Sequence, residues 1–378
     1  MDITISKYSS IPLHQQLLNE MRRCILSGEW QPGKLVPSEL TLQRQLGISR
    51  STIRQALTAA RNEGLIEAVP GKGTFVSPDP TQHLSPRLVG FVIPYFRSSF
   101  DTLLLKGAES VLRSADYRII FSTSDSNAKE EDRLLWLLRR DRVAGILLWP
   151  VMDGDSNRFA NELARQQVHL VLMDRNLPGV ETDLVMSDNF NGGCTATQHL
   201  ISLGHRKIAF LCRQHLNLLP VAERLRGYRQ AMRDAGLAPL DPVLIPSTQE
   251  MTTEYALRSY SEARSEDILL ICQYIDQPDR ATALFASNDL TAIQVLRAAE
   301  LVHIRIPQDL SLVGFDDLDF CSHLTVPLTT IAQDPYKLGF EAASLLLKRM
   351  EGKSVGSRQV ILPTQLVHRA STAAPGQD

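Results

Sequence analysis

VPSELTLQRQLGISRSTIRQALTAARNEGLIEAVPGKGTFV, residues 36–76, reads as two short helices joined by a tight turn and followed by a β-hairpin. Pro37 pre-sets φ ahead of the first helix, Ser38 is a natural N-cap, and Glu39 falls in the positive first turn. Gly47 stops this helix and Ser49 can cap the next. In the second helix Ile53, Ala56, Leu57 and Ala60 recur at i, i+3, i+4 and i+7, the spacing of one buried stripe. Its opposite face carries Ser51, Arg54, Gln55 and Thr58, with Arg50 at the N-terminal end and no acidic residue before Glu63. Gly64 ends the helix. Residues 65–69 and 74–76 then flank Pro70-Gly71-Lys72-Gly73 as two short strands. A basic hairpin tip beside a basic helix face is the pattern of a winged helix-turn-helix that docks on DNA.

The same residues carry a family resemblance. PLHQQL, SGEWQPGKLVPSE, LGISRSTIRQAL, EGLI and GKGTFV, spread over residues 11–76, resemble the N-terminal domain of GntR-family regulators. The resemblance implies that Arg50, Ser51 and Arg54, with Gln55 on the same exposed face, meet DNA from the recognition helix, and that Gly71 and Lys72 meet it from the wing. One position departs: the family often has Arg after Pro-Ser-Glu, whereas Leu40 stands here, so no contact is carried over to it.

Around this head, 378 residues leave room for two or three compact units of ordinary globular composition. Charge is uneven. Residues 1–76 hold nine Lys/Arg against six Asp/Glu, a net of +3, and the remainder holds 31 against 36, a net of −5. The five cysteines (24, 194, 212, 272 and 321) are scattered without CxxC spacing, which suits reduced thiols and neither a disulfide frame nor a zinc site. MDITISKYSS lacks a basic start and an apolar core, and no apolar run reaches the roughly 18 residues of a membrane helix. A cytoplasmic protein without metal or cofactor is expected.

In chain order, residues 11–28 form an amphipathic helix with Leu13, Leu17, Met21, Cys24 and Ile25 on one stripe. SPDPTQHLSPR, residues 77–87, is a proline-containing linker. From Leu88 onward LVGFVI, YRIIFST, VAGILLWP, HLVLMD, DLVMSD, KIAFLC, PVLIPS, ATALFAS and DLSLVGF are short apolar strands. Helical stretches separate the first four. Such strands belong to doubly wound parallel sheets covered on both faces, and nine are enough for two α/β lobes.

A second resemblance covers residues 87–370. SDNFNGGCTATQHLISLGHRKIAFL, ERLRGYRQAM, ASNDLTA, IPQDLSLVGFDDLDF and LTTIAQDPYKLG are similar, in this order, to the effector domain of LacI/GalR-type repressors. It implies a fold like the periplasmic binding proteins: two lobes, three crossover strands and a ligand in the cleft. The expected domains are a head at 1–76, a linker at 77–87 and a body at 88–370. Lobe 1 is then about 88–187 with 334–362, and lobe 2 about 188–333.

Ligands of open α/β sheets sit beyond the carboxyl ends of the strands. Phe100 and Asp101 follow the first strand of the body, Asp125 the second, Trp149 the third and Asp174 the fourth. Phe100 and Trp149 are candidate stacking platforms for a sugar's C–H face, each with core packing as the competing reading; Asp125 competes as a helix cap. In the second lobe the resemblance assigns ligand contacts to Arg224, in R-x-x-G, to Asn288, in ASND, and to Asp316, in GFDD. Asp289 is read as the cap of the helix that follows.

Catalysis has little support. Gly71–Thr74 lacks the spacing of a phosphate loop, since Ile66 stands where Gly is required, and there is no GxSxG or HExxH. The expectation is therefore a non-enzymatic, DNA-binding homodimer controlled by a small sugar. The alternative is a GntR-type head fused to an aminotransferase-like enzyme.

Overall fold

In the recognition helix of the head, every fourth or third residue turns inward. The computed structural model describes residues 5–6, 11–78, 87–151, 168–213, 216–245, 266–353 and 356–376, and the chain divides after Arg87 into two units.

The first unit holds α1 (Leu13–Leu26), α2 (Glu39–Leu46), α3 (Arg50–Asn62), β1 (Ile66–Val69) and β2 (Gly73–Val76). Ser38 Oγ accepts from Thr41 N and Ser49 Oγ from Thr52 N, each at 3.2 Å, so both expected caps are present. Gly47 closes α2 at φ +61°, a left-handed cap that costs a glycine little. Leu17, Met21, Leu42, Ile53, Ala56, Ala60 and Leu65 are fully buried around Trp30. Burying one large apolar side chain contributes about 1.5–3 kcal/mol. The segment before α2 adds to the hairpin, with Val36 N and Val76 N donating to Thr74 O and Lys34 O at 2.8 Å.

The second unit contains two six-stranded sheets. The first is built from β3 (Leu88–Ile93), β4 (Arg118–Thr123), β5 (Gly145–Leu148), β6 (Leu170–Met173), β7 (Asp183–Ser187) and β13 (Gln359–Leu362), ordered β13-β7-β6-β5-β3-β4 and wholly parallel. The second uses β8 (Ile208–Arg213), β9 (Val243–Ile245), β10 (Ala283–Ala286), β11 (Ser311–Asp316), β12 (Thr329–Ala332) and β14 (Gln365–Val367), ordered β14-β12-β11-β10-β8-β9. Only β14 runs antiparallel. All nine apolar segments read as strands are strands. β12, β13 and β14 were not read as such, because they are short and border the passages between sheets.

Helices α4 (Ser99–Ser114), α5 (Ala128–Arg140) and α10 (Pro335–Met350) cover the first sheet; α6 (Asn189–Ser202), α7 (Leu219–Asp234), α8 (Glu266–Ile275) and α9 (Asp289–Leu301) cover the second. The helical stretch expected between β5 and β6 lies outside the described residues. The chain passes between sheets three times: from β7 to α6, from β12 to α10 and from β13 to β14. After two of these passages the helix crosses a neighbour at backbone contact. A Cβ on Gly339 of α10 would overlap the Leu104 carbonyl of α4, and one on Gly193 of α6 the Arg224 carbonyl of α7. Glycine is needed there for close approach.

Candidate functional site

Each sheet reverses its strand order beside its first strand, β3 in one and β8 in the other. Beyond the carboxyl ends at such a switch point lies the natural ligand crevice of a doubly wound sheet. The second lobe supplies Arg224, buried on α7. Its Nε donates to Asn189 Oδ1 at 2.9 Å and its Nη1 to the Ser287 carbonyl at 2.6 Å. The guanidinium lies 3.6 Å above the Phe315 ring, and Nη2 stands 3.5 Å from Asp316 Oδ1. Burial lowers the pKa of Arg224, opposed by the charges of Asp316, Asp174 and Asp289.

Asp316 ends β11 at φ +117°, where backbone strain costs of order 1–3 kcal/mol. Its Oδ1 accepts from Gln333 Nε2 at 2.7 Å. Burial pushes its carboxyl up to about 7, with Arg224 pulling down and Asp289 pushing up. Asn288 is the N-cap of α9, its Oδ1 accepting from Thr291 N at 2.8 Å. This corrects the assignment of the cap to Asp289. Asp289 is instead fully buried and clamps the segment after β11, accepting from Leu318 N at 2.9 Å and from Thr330 Oγ1 at 2.6 Å.

In the first lobe Trp149 directly follows β5 within an aromatic cluster, 5.7 Å from the Phe100 ring and 5.5 Å, edge on, from Tyr95. Arg175 lies 5.6 Å over the same indole and pairs with Asp174 at 3.4 Å. Asp174 is buried at φ +63°, and burial raises its pKa against the pull of Arg175 and Arg224. Asp174 acts on Arg224 and Asp316 acts on Tyr95, so groups of both lobes share one electrostatic field. Trp149 Nε1 and Gln333 Oε1 are buried there without a hydrogen bond of ordinary geometry.

Two candidates fall to other work. Asp101 is fully buried in a capping box: its Oδ2 accepts from Arg97 N and Ser98 N at 2.8 Å and from Ser98 Oγ at 2.9 Å. Asp125 is exposed in the left-handed turn after the edge strand β4, and Asn127 caps α5 in its place, accepting from Lys129 N at 2.9 Å. The edge position sets Asp125 one strand away from the switch point.

Sequence reasoning missed Gln333, Tyr95, Asn189 and Glu131. Gln333 sits on the passage from β12 to α10, and that position was its available signal. Glu131 looks like one more surface charge in AKEEDR, yet it is buried, with Oε2 accepting from Val151 N at 2.6 Å just past Trp149. Burial pushes its carboxyl up to about 8.

In the head, Arg50, Ser51, Arg54 and Gln55 are exposed along α3, and Gly71 (φ +74°) and Lys72 form the exposed tip of the β1–β2 hairpin. Leu40 is 43% exposed on α2.

Comparison with known proteins agrees with both halves. The sequence profile of bacterial regulatory proteins of the gntR family matches residues 13–76, and that of the periplasmic binding protein-like domain matches residues 197–372. The arabinose metabolism transcriptional repressor of Geobacillus stearothermophilus is 30% identical over 374 residues, covering 97% of this chain and 99% of that protein. The chain belongs to this family of GntR-headed repressors. The ribose operon repressor of Escherichia coli K12 is 29% identical across 75% of this chain and 81% of that protein. A LacI family transcriptional regulator from Enterococcus faecium with bound ribose superposes with a TM-score of 0.62 at 28% identity, over 76% of this chain and 99% of that one. In a GntR-headed repressor the body is thus the LacI-type, periplasmic-binding-protein-like domain, and the aminotransferase-like alternative finds no support. Among the described residues no helix is long and apolar enough to cross a membrane.

Proposed function

We propose that this repressor binds operator DNA as a homodimer, in the cytoplasm and without catalysing a reaction, and that a small neutral sugar in the interlobe cleft sets its DNA affinity. The observation that carries the reading is the Arg224–Asp316 pair with Gln333, on which the charge of Asp174, the residue paired with Arg175 over Trp149, also acts. Two arginines and two aspartates stand in the cleft, with burial raising both carboxyls. They offer donors and acceptors suited to vicinal hydroxyls, and the indole offers an apolar face. Pentoses come first in the screen, because a relative spanning nearly the whole chain is an arabinose repressor and a solved neighbour holds ribose.

Dimerisation follows from the head's small charge: one winged domain makes few phosphate contacts, whereas two on a palindrome add theirs. The exposed Phe96–Phe121 pair, with ring centroids 5.0 Å apart beside the edge strand β4, is the surface we assign to the partner copy. Thermal-shift measurements against pentoses, hexoses and uronates test the cleft. A ligand at 100 times its Kd adds about 2.7 kcal/mol. Stabilisation by a neutral sugar supports the reading, and the absence of any response across the panel contradicts it.

A further inference from the structure

Within the head, α2 and α3 meet through two pairs of side chains at helical spacing. Glu39 and Gln43 stand one turn apart on α2; Arg54 and Arg50 stand one turn apart on α3. Arg54 Nε and Nη2 donate to the two carboxylate oxygens of Glu39 at 3.3 and 3.2 Å, and Arg50 Nε donates to Gln43 Oε1 at 3.1 Å. Both arginines are thus held by the Nε side of the guanidinium. The opposite corner, carrying Nη1, makes neither of these contacts.

Exposed ion pairs contribute little to folding, and the Arg54 side chain is 70% exposed. The pairs have a different consequence. A free arginine samples many rotamers, loses that freedom on binding, and reaches phosphates as readily as bases. Bidentate recognition of guanine O6 and N7 needs the fork presented in one orientation.

We propose that α2 is a positioning rack: Glu39 orients Arg54 and Gln43 orients Arg50, so that each presents its outer fork to a base edge and not to a phosphate. The proposal rests on the head being the DNA-binding domain. The four side chains then act as one device. The arginines read two positions about one helical turn, ~6 Å, apart. Glu39 adds a negative charge that opposes sequence-independent attraction to the duplex. Its charge in the first turn of α2 also suits the helix dipole, and that simpler role predicts a loss of stability without any change in base preference.

The test uses the full-length protein and a duplex enriched from a random library by the wild type. Affinities for this duplex and a scrambled one are measured over a salt series for wild type, Glu39→Ala, Glu39→Gln and Gln43→Ala. Glu39→Ala is expected to lower the ratio of specific to scrambled affinity about tenfold, flatten preference at one base pair per half-site and steepen the salt slope on scrambled DNA by about one. Glu39→Gln keeps an acceptor and is expected to retain most of the preference. Gln43→Ala is expected to flatten a different base pair. Unchanged base preference and affinity ratio in folded Glu39→Ala overturn the proposal; should that variant not fold, unchanged preference in both Glu39→Gln and Gln43→Ala does so. Failure of the wild type to enrich any duplex overturns the DNA-binding reading itself.

Discussion

Replacing Asp316 by Asn keeps the side chain's shape and removes its charge, at a φ of +117° that suits Asn about as well as Asp. Burial holds this carboxyl near 7 instead of its ordinary 3.8. Each unit of such a shift favours the neutral form by about 1.4 kcal/mol. With the side chain 19% exposed, the ionised carboxylate costs the sugar-free fold roughly 2–4 kcal/mol. Because the folded pKa is raised, the contribution of Asp316 is fully present below about pH 4 and is lost as pH climbs through 7. Wild type and Asp316→Asn should therefore melt alike near pH 4, and the variant should melt several degrees higher at pH 8. Its sugar response should move the opposite way. Losing the charged acceptor removes about 1–3 kcal/mol from sugar binding, so the ligand-induced thermal shift collapses. Scanning calorimetry at both pH values, with and without ligand, reads all four states. A variant that melts below wild type at pH 8, or keeps its full shift with sugar, refutes this account of Asp316.

Arg54→Ala should weaken operator binding by about 1–3 kcal/mol and blur base preference, while Lys72→Ala should weaken all duplexes alike and flatten the salt slope by about one, both by fluorescence anisotropy. Gly339→Val should destabilise the body by about 3 kcal/mol in urea unfolding, because its side chain meets the Leu104 carbonyl across the α10–α4 crossing. Glu131→Gln should match wild type at low pH and exceed it in stability at pH 9, since the raised carboxyl loses its contribution as pH passes 8.

The head was almost wholly legible because its signals are local: caps at Ser38 and Ser49, an inward stripe on α3, glycines at the stops. The parallel strands were legible through their unbroken apolar runs. The cleft was read unevenly. Arg224 and Asp316 came through family resemblance, and the structure brings them together. Asn288 and Asp289 are adjacent acceptors at a helix start, and no pattern says which one caps; burial decides, sending Asp289 to Leu318 and Thr330. Asp101 carried a readable S-x-x-D signature with Ser98, the acidic variant of a capping box. Glu131 and Gln333 gave no periodic signal, because their surroundings are assembled from segments far apart in sequence.

The central claim is that sugar in the cleft and DNA at the head are linked through one chain. Operator affinity of the full-length protein, measured at rising concentrations of the sugar that stabilises it, tests this directly. Linkage requires the sugar to change operator affinity, by five- to 150-fold for a coupling of about 1–3 kcal/mol, and requires operator DNA to change sugar affinity by the same factor. Asp316→Asn should bind operator as wild type does without sugar and show no change with it. Operator affinity indifferent to a sugar that demonstrably occupies the cleft would contradict the account.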